Sequence, residues 1–485
     1  MSASLKVIKS AALLLGMQVV QRGLGIISTL ILARLLTPDD FGIIALITIV
    51  LQFFELLAEI GNQQYIVQKE TLHDSDLNTA WTMDILIKSF VALAVICSAP
   101  LLSVFFETPE LALALAIATL ALPLRALRTP GMMQAVREID YRPLFRLTLW
   151  QKGLSFIAVI TIAWLYQSYW AIVLGSLLSA AVFAIGSYRV HPYRPKWSLE
   201  NAREQWNFSQ WLLLRGIVGF TRSQIDNLIV SKQFSTSALG GYNLVREISL
   251  LPALSAIIPM SEPLLASIAR VKDDPDSLAY RVRFSLAIMV TVLTPLTTFL
   301  MLYPDLIVLT LLGEQWQAYS HLLRPFALFF LTFCLFALIS DAIIALGRVR
   351  ALFVFDLIST ITIVAILLLI GTDSLSVMAW VRGWLAVITT ILLLFFLNQW
   401  SNFGFYRLFW LSVPVQIGTI LAFATDTLVQ MPEVSTFLEL LVRGTLFITV
   451  AAISTALSAA VLIYNTPEFR QIRYLAKKMS KESSK

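Results

Sequence analysis

Residues Ala11 to Leu36 read AALLLGMQVVQRGLGIISTLILARLL. About 20 helical residues, each rising about 1.5 Å, span the roughly 30 Å hydrocarbon core of a bilayer, so this stretch is long enough to cross one. Lys6 and Lys9 precede it, as they would in a secretory leader. However, Arg22 interrupts the stretch and no small-residue cleavage site follows, so a retained first span is expected. The turn Thr37-Pro38-Asp39-Asp40 closes it, and a second apolar run begins at once.

The pattern continues along the chain. Of 485 residues, 58% are hydrophobic and 14% charged, against about 45–50% and about 25% in a soluble domain. The runs predict an all-α polytopic membrane protein of roughly fourteen spans, near 10–35, 41–67, 79–105, 111–131, 145–166, 169–190, 209–233, 243–268, 282–302, 322–345, 352–371, 376–399, 409–430 and 437–464. About 25 of the 36 Lys and Arg fall in connections on one side, among them Arg125, Arg128, Arg137, Arg283 and Arg348. The other side is acidic, with Asp39, Asp40, Glu107, Glu110, Asp305, Glu314, Asp373 and Glu433. This asymmetry predicts cytoplasmic termini and an even number of spans, and it explains the net charge of +6 without nucleic-acid binding.

Every connection is short, and the Gly-Lys dipeptide of a Walker A loop is absent, which argues against an ATP-driven pump on this chain. Cys97 and Cys334 lie in apolar runs, and His73, His191 and His321 in separate connections, so no disulfide, metal site or cofactor is expected. From Pro467 to Met479, Phe469, Ile472, Leu475 and Met479 share a helical face, which predicts a basic amphipathic tail on the membrane surface.

Shifted by about 199 residues, the sequence resembles itself: Ser10-Ala-Ala-Leu-Leu-Leu falls on Ser209-Gln-Trp-Leu-Leu-Leu, and the turn Leu36 to Gly42 falls on Ser235 to Gly241. A real repeat would give two six-helix lobes of like orientation, 1–208 and 209–400, followed by two further helices in 401–464 and a tail in 465–485.

Ionisable residues inside spans are costly and usually face a protein interior or a watery cavity. Gln18, Arg22, Gly25 and Thr29 share one face of span 1, and Arg215, Gly219, Arg222 and Asp226 repeat that spacing in span 7. Gln52, Glu55 and Glu59 line span 2, Lys152 lies in span 5, and Arg246 and Glu247 open span 8. Arg22, Arg215, Arg222, Lys152 and Arg246 are the candidate cationic lining. Glu59, Glu55 and Asp226 are the candidate charge-balancing or ion-coupling carboxylates. The bland alternatives are structural. Asp84 and Lys88, four apart, pair with each other; Arg222 and Asp226 do the same; Arg324, Arg382 and Arg443, near span ends, snorkel to the interface. Prolines at 123, 130, 252, 259 and 263 suggest kinked helices in spans 4 and 8.

The stretch Gln21 to Gly42, with Ala33-Arg-Leu-Leu-Thr-Pro-Asp-Asp-Phe-Gly42 at its end, resembles the opening of Wzx-type polysaccharide flippases, in the polysaccharide-transporter branch of the multidrug/oligosaccharidyl-lipid/polysaccharide (MOP) exporter superfamily. Ala58-Glu-Ile-Gly-Asn-Gln-Gln, Asp226-Asn-Leu-Ile-Val and Leu239-Gly-Gly-Tyr242 fit as well. The resemblance implies two six-helix lobes forming a V around a cationic cavity, in a bacterial inner membrane. It implies a substrate too, an oligosaccharide on a polyprenyl diphosphate turned between leaflets by alternating access among membrane lipids. Arg22 matches an arginine of the related peptidoglycan-precursor flippases, whose second arginine falls here on Ser28, which argues against that precursor as substrate. H⁺ or Na⁺ as coupling ion, and glycosyltransferases and a polymerase as partners, stay open. The competing readings are a drug/cation antiporter of the same superfamily, which expects an acidic cavity, and a membrane-embedded polymerase or ligase, which expects a larger periplasmic loop than 303–321.

Overall fold

The computed structural model describes residues 3–59, 61–258, 267–268, 270–271, 274–370, 374–429, 434–471 and 473–474, with backbone alone for 3–12, 207–215 and 256. These residues form helices and turns, with no strand among them. Internal contacts divide the chain into two compact units, Met1–Leu244 and Val245–Lys485.

The first unit holds α1 (Ala3–Leu35), α2 (Pro38–Ala58), α3 (Asn62–Gln68), α4 (Asp74–Phe105), α5 (Glu110–Thr119), α6 (Ala121–Ala126), α7 (Gly131–Arg137), α8 (Arg142–Tyr166), α9 (Trp170–Val190), α10 (Ala202–Gln233) and the start of α11 (Thr236–Pro252). The second holds the rest of α11, a π-helical turn Ala253–Ile257, α12 (Pro275–Leu302), α13 (Pro304–Leu311), a 3-10 segment Glu314–Leu322, α14 (Leu323–Ala345), α15 (Val349–Ile370), α16 (Leu375–Ser401), α17 (Phe405–Leu428) and α18 (Thr436–Leu462).

Eleven helical segments among the described residues are long and apolar enough to cross a membrane, and twelve if the pair Glu110–Ala126 and Gly131–Arg137, bent by 61°, counts as one span. The expected fourteen is not confirmed. Region 209–233 is helical within α10, but Arg203, Glu204, Arg215, Arg222, Asp226 and Lys232 make α10 too polar to qualify on composition. Region 243–268 falls partly on 259–266, outside the described residues. The bend in the pair has a local cause. Pro130 disfavours helical backbone at Thr129, so the chain breaks between α6 and α7.

The turn that opens α2 is built twice. Thr37 caps α2, its Oγ1 accepting the Asp40 N–H at 3.2 Å while the Asp40 carboxylate accepts the Thr37 N–H at 3.1 Å. Such a box satisfies two backbone donors that the first helical turn leaves open. At the start of α11, the Ser235 hydroxyl accepts the Ala238 N–H at 3.2 Å in the same way. The flanking backbone bonds match: Leu36 N–H to Leu32 at 2.8 Å and Phe234 N–H to Val230 at 3.0 Å, then Phe41 N–H to Thr37 at 3.1 Å and Leu239 N–H to Ser235 at 3.0 Å. The two turns superimpose their hydrogen bonds at a shift of 198 residues, one less than the lettering suggests, which matches Gly42 with Gly240 rather than Gly241.

The two turns also touch reciprocally. A Cβ on Gly42 would lie 2.0 Å from the Thr236 carbonyl oxygen, and one on Gly240 would lie 2.0 Å from the Pro38 carbonyl oxygen. In the 198 register Pro38 is the counterpart of Thr236, so each turn meets the other through the same pair of positions. The contact lies wholly within the first unit.

In the second unit, two arginines expected to snorkel are held inside. Arg382 is buried at 4% exposure with its guanidinium 4.7 Å from the Phe329 ring centre. Arg443 bridges Glu439 at 2.9 Å and Asp426 at 3.2 Å, locking α18 to α17. Arg324 is exposed, as expected. The tail also begins differently. Glu468 is buried and pairs with the buried Arg283 at 2.6 Å, and Arg283 donates to the Phe403 carbonyl at 2.7 Å. Phe469 packs on Leu411, Ala459 and Ile463, so this face turns to protein before it could turn to lipid. Ile472, Leu475 and Met479 lie outside the described residues.

Candidate transport site

The first unit carries most of the candidate residues. Helices α2 and α10 run antiparallel along one wall. A Cβ on Gly216 would meet Leu56 Cδ1 at 2.3 Å, the tilted rings of Phe53 and Phe220 have centroids 5.4 Å apart, and the Gln224 amide donates to Gln52 at 2.8 Å. The missing side chain at Gly216 lets the helices approach, and the glutamine pair lies where the wall turns polar.

The membrane-embedded acids here are largely neutralised. Glu55 accepts from Arg125 at 2.7 Å, an ion pair between α2 and α6. Its carboxylate lines a cavity of about 230 Å³ with Thr48, Gln52 and Ser176. Asp84 and Lys88, both buried within α4, pair at 2.9 Å as their spacing predicts. A buried pair of this kind contributes little net stability, yet removing one partner strands a charge. Asp226, fully buried, accepts from the Tyr242 hydroxyl at 3.2 Å.

The bases are in excess. Arg22 on α1 and Lys152 on α8 are half-buried and have no hydrogen-bond or ion-pair partner among the described residues. Helices α1 and α8 are neighbours, a Cβ on Gly16 lying 3.6 Å from Phe145, and with the bent pair counted as one span three crossings separate them, which makes them parallel. Arg22 and Lys152 stand six and seven residues beyond that contact, hence at similar depth. Space around them is open: added Cβ atoms on Gly23, Gly25 and Gly153 would meet nothing within 4 Å, and the same holds for Gly219 in the second polar stripe.

A third base without a partner lies at the break in the bent pair. Arg125 and Arg128 read as connection charges; Arg125 stands at the end of α6, and the half-buried Arg128 lies in the break between α6 and α7. Arg128 lines a cavity of about 280 Å³ with Gln63, Met132 and Tyr141, and its Nε is buried without a hydrogen-bond partner. The signal that could have found both was their spacing of three between Pro123 and Pro130, which marks a broken span rather than a loop.

The remaining candidates are more scattered. Glu59 is the last residue of the α2 cap and is exposed, with no side-chain partner among the described residues. Arg222 is half-buried on α10. Arg246 is half-buried on α11 and belongs to the second unit. The Arg215 side chain lies outside the described residues. No group of three or more potential metal ligands is found among the described residues.

The lipid II flippase MurJ, solved in an inward closed conformation, superposes with a TM-score of 0.75 at 15% identity, over 93% of this chain and 99% of that one. The chain belongs to the polysaccharide biosynthesis protein family, whose sequence profile matches residues 31–321. Among its relatives is the lipopolysaccharide biosynthesis protein WzxC of Escherichia coli (strain K12), 22% identical over 400 residues, 81% of this chain and 80% of WzxC. The succinoglycan biosynthesis transport protein ExoT of Rhizobium meliloti (strain 1021) is 23% identical over 296 residues, 61% of this chain and 60% of ExoT.

Proposed function

We propose that this protein is a flippase that carries polyprenyl-diphosphate-linked oligosaccharide across a bacterial inner membrane, for assembly of a surface polysaccharide. The observation that carries the proposal is the charge imbalance inside the first unit. Glu55 and Asp84 each have a basic partner and Glu59 has none, while three bases, Arg22, Lys152 and Arg128, have none among the described residues. A diphosphate crossing a low-dielectric region needs cations, and a guanidinium offers a permanent charge with forked donors. WzxC and ExoT support the reading, since their names place them in lipopolysaccharide biosynthesis and succinoglycan transport.

In this mechanism, Arg22 and Lys152 receive the diphosphate at one depth, with Arg215 and Arg222 extending the cationic lining of the first unit; Arg246 is a further cation, on the second unit. The sugar follows through the open space beside Gly25 and Gly219. Glu55, held by Arg125, tempers the field, and Asp226 balances charge on α10. Glu59, an exposed carboxylate at a helix break, takes the coupling cation, H⁺ or Na⁺. Both termini face the cytoplasm, and the protein works by alternating access as a transporter rather than an enzyme. A cation antiporter would need the opposite balance, with unpaired acids outnumbering unpaired bases.

The deciding experiment is leaflet-resolved accumulation of lipid-linked oligosaccharide in cells with and without the protein. Trapping on the cytoplasmic leaflet in its absence is expected. An unchanged distribution with loss of polymer would move the site of action to a later step.

A further inference from the structure

On the second unit, α15 and α16 enclose a groove of about 920 Å³. Its walls are apolar, with Ile358, Ile366, Leu392 and Phe396 among them, and Arg348 and Arg350 are the charged residues of its described lining. Both arginines sit at one end, just past α14. There Gly347 adopts φ +73°, and the N–H groups of Gly347 and Arg348 return to the carbonyls of Ile344 and Ile343 at 2.9 and 3.1 Å. This closing motif ends α14 sharply and delivers both arginines to the mouth of the groove. The Arg348 guanidinium lies 5.9 Å from the Trp400 ring centre, and Trp400 stacks on Phe396 at 6.1 Å. Tryptophan beside arginine marks the headgroup level of a bilayer. Both arginines are exposed, and neither has an ion-pair partner among the described residues.

We propose that this groove is a binding site for one anionic two-chain phospholipid, its phosphate held by Arg348 and Arg350 and its acyl chains lying between α15 and α16. Two observations select the occupant. The charge is positive and uncompensated in the lining, as in the basic pockets between transmembrane helices that capture anionic headgroups. The volume then selects the tail. At roughly 30 Å³ per methylene-sized group, the share of one water in the liquid, the groove takes about thirty carbons, which is two ordinary acyl chains and less than a long polyprenyl chain. The site lies outside the first unit and does not depend on the transport reading, since its test measures binding alone.

Purified full-length protein in mixed micelles would be titrated with phosphatidylglycerol and, separately, with phosphatidylethanolamine carrying the same chains, and retained lipid would be counted by native mass spectrometry. Two arginines at headgroup level predict a preference of about 30-fold for the anionic lipid. The double variant Arg348→Gln/Arg350→Gln should lose that preference. Thr362→Trp, which fills the groove away from the arginines, should reduce retention of the anionic lipid about tenfold while leaving thermal stability unchanged. Equal retention of the two lipids by the native protein would overturn the proposal, as would a preference that survives the double variant or full retention in Thr362→Trp. Displacement of phosphatidylglycerol by an equimolar polyprenyl phosphate would overturn it too, and would give the groove to the carrier lipid.

Discussion

Arg22 is the residue on which the transport reading bears hardest. It is half-buried in α1 with open space on its glycine side and no partner among the described residues. Arg22→Ala should lower polysaccharide export at least about 100-fold, roughly the loss from removing a charge-assisted contact worth about 3 kcal/mol. The protein should still reach the membrane at normal abundance, measured by immunoblot of membrane fractions. Normal export would remove Arg22 from the site. The Asp84–Lys88 pair predicts the opposite phenotype. Lys88→Ala should destabilise the fold by about 3–5 kcal/mol, because it strands a buried carboxylate, and Asp84→Leu/Lys88→Met should recover most of that in thermal unfolding. His191, outside the spans, supplies a pH test. Burial pushes its pKa below the ordinary 6.5, with Glu138 opposing and Arg194 assisting, and its Nδ1 accepts the Tyr193 N–H at 3.2 Å. A depressed folded pKa gives stability that is complete above pH 6.5 and falls as acid protonates the unfolded chain first. The melting temperature should therefore drop from pH 7.5 to 5.5, and less so in His191→Gln. The pairing of Asp84 with Lys88 was legible in the sequence because a helix makes four-residue spacing a contact. The partner of Glu55 was not, because Arg125 lies 70 positions away and reaches it only through the fold.

At the scale of elements, the opening of α2 was legible down to its cap, since Thr37, Pro38 and Asp40 each have one physical role there. The break between α6 and α7 was not, because hydropathy averages over a proline and merges two helices into one run. Nor was the register of the repeat, because apolar lettering matches itself at several shifts. The reciprocal glycine contact gives this scale its test. A Cβ 2.0 Å from a backbone carbonyl has nowhere to go without moving a helix. Gly42→Ala and Gly240→Ala should each cost about 1–3 kcal/mol, seen as a lower melting temperature. Gly25→Ala, where nothing lies within 4 Å, should be neutral or slightly stabilising. Similar losses at all three positions would show that the effect is generic to helical glycines.

At the scale of the molecule, composition and period revealed the class, and charge asymmetry supplied an orientation. The number of crossings was less legible. Helix α10 is polar enough to fail a hydropathy test, and Arg215, Arg222 and Asp226, three of the six charged residues that make it so, are among those assigned to transport. The orientation can be tested with single cysteines in a Cys97→Ala/Cys334→Ala background. Positions in the Lys69–His73 connection should react with a membrane-impermeant maleimide only after the inner membrane is opened, and Glu107 should react in intact spheroplasts. The reverse pattern would invert the topology and place the Arg348–Arg350 end of the groove in the outer leaflet.

The paired turns at Gly42 and Gly240 have the form of a symmetric interface. A contact in which each side offers the same positions to the other is what two identical subunits make across a two-fold axis. A chain of about half this length could have dimerised through a single such turn before its gene was duplicated and fused. In that ancestor one mutation would have altered both halves of the contact at once. In a fused chain the two sides are free to differ, as Pro38 and Thr236 do here, while both close approaches are made at glycine. The contact would then be the fossil of a subunit interface, kept because neither side can gain a side chain unless the other gives way.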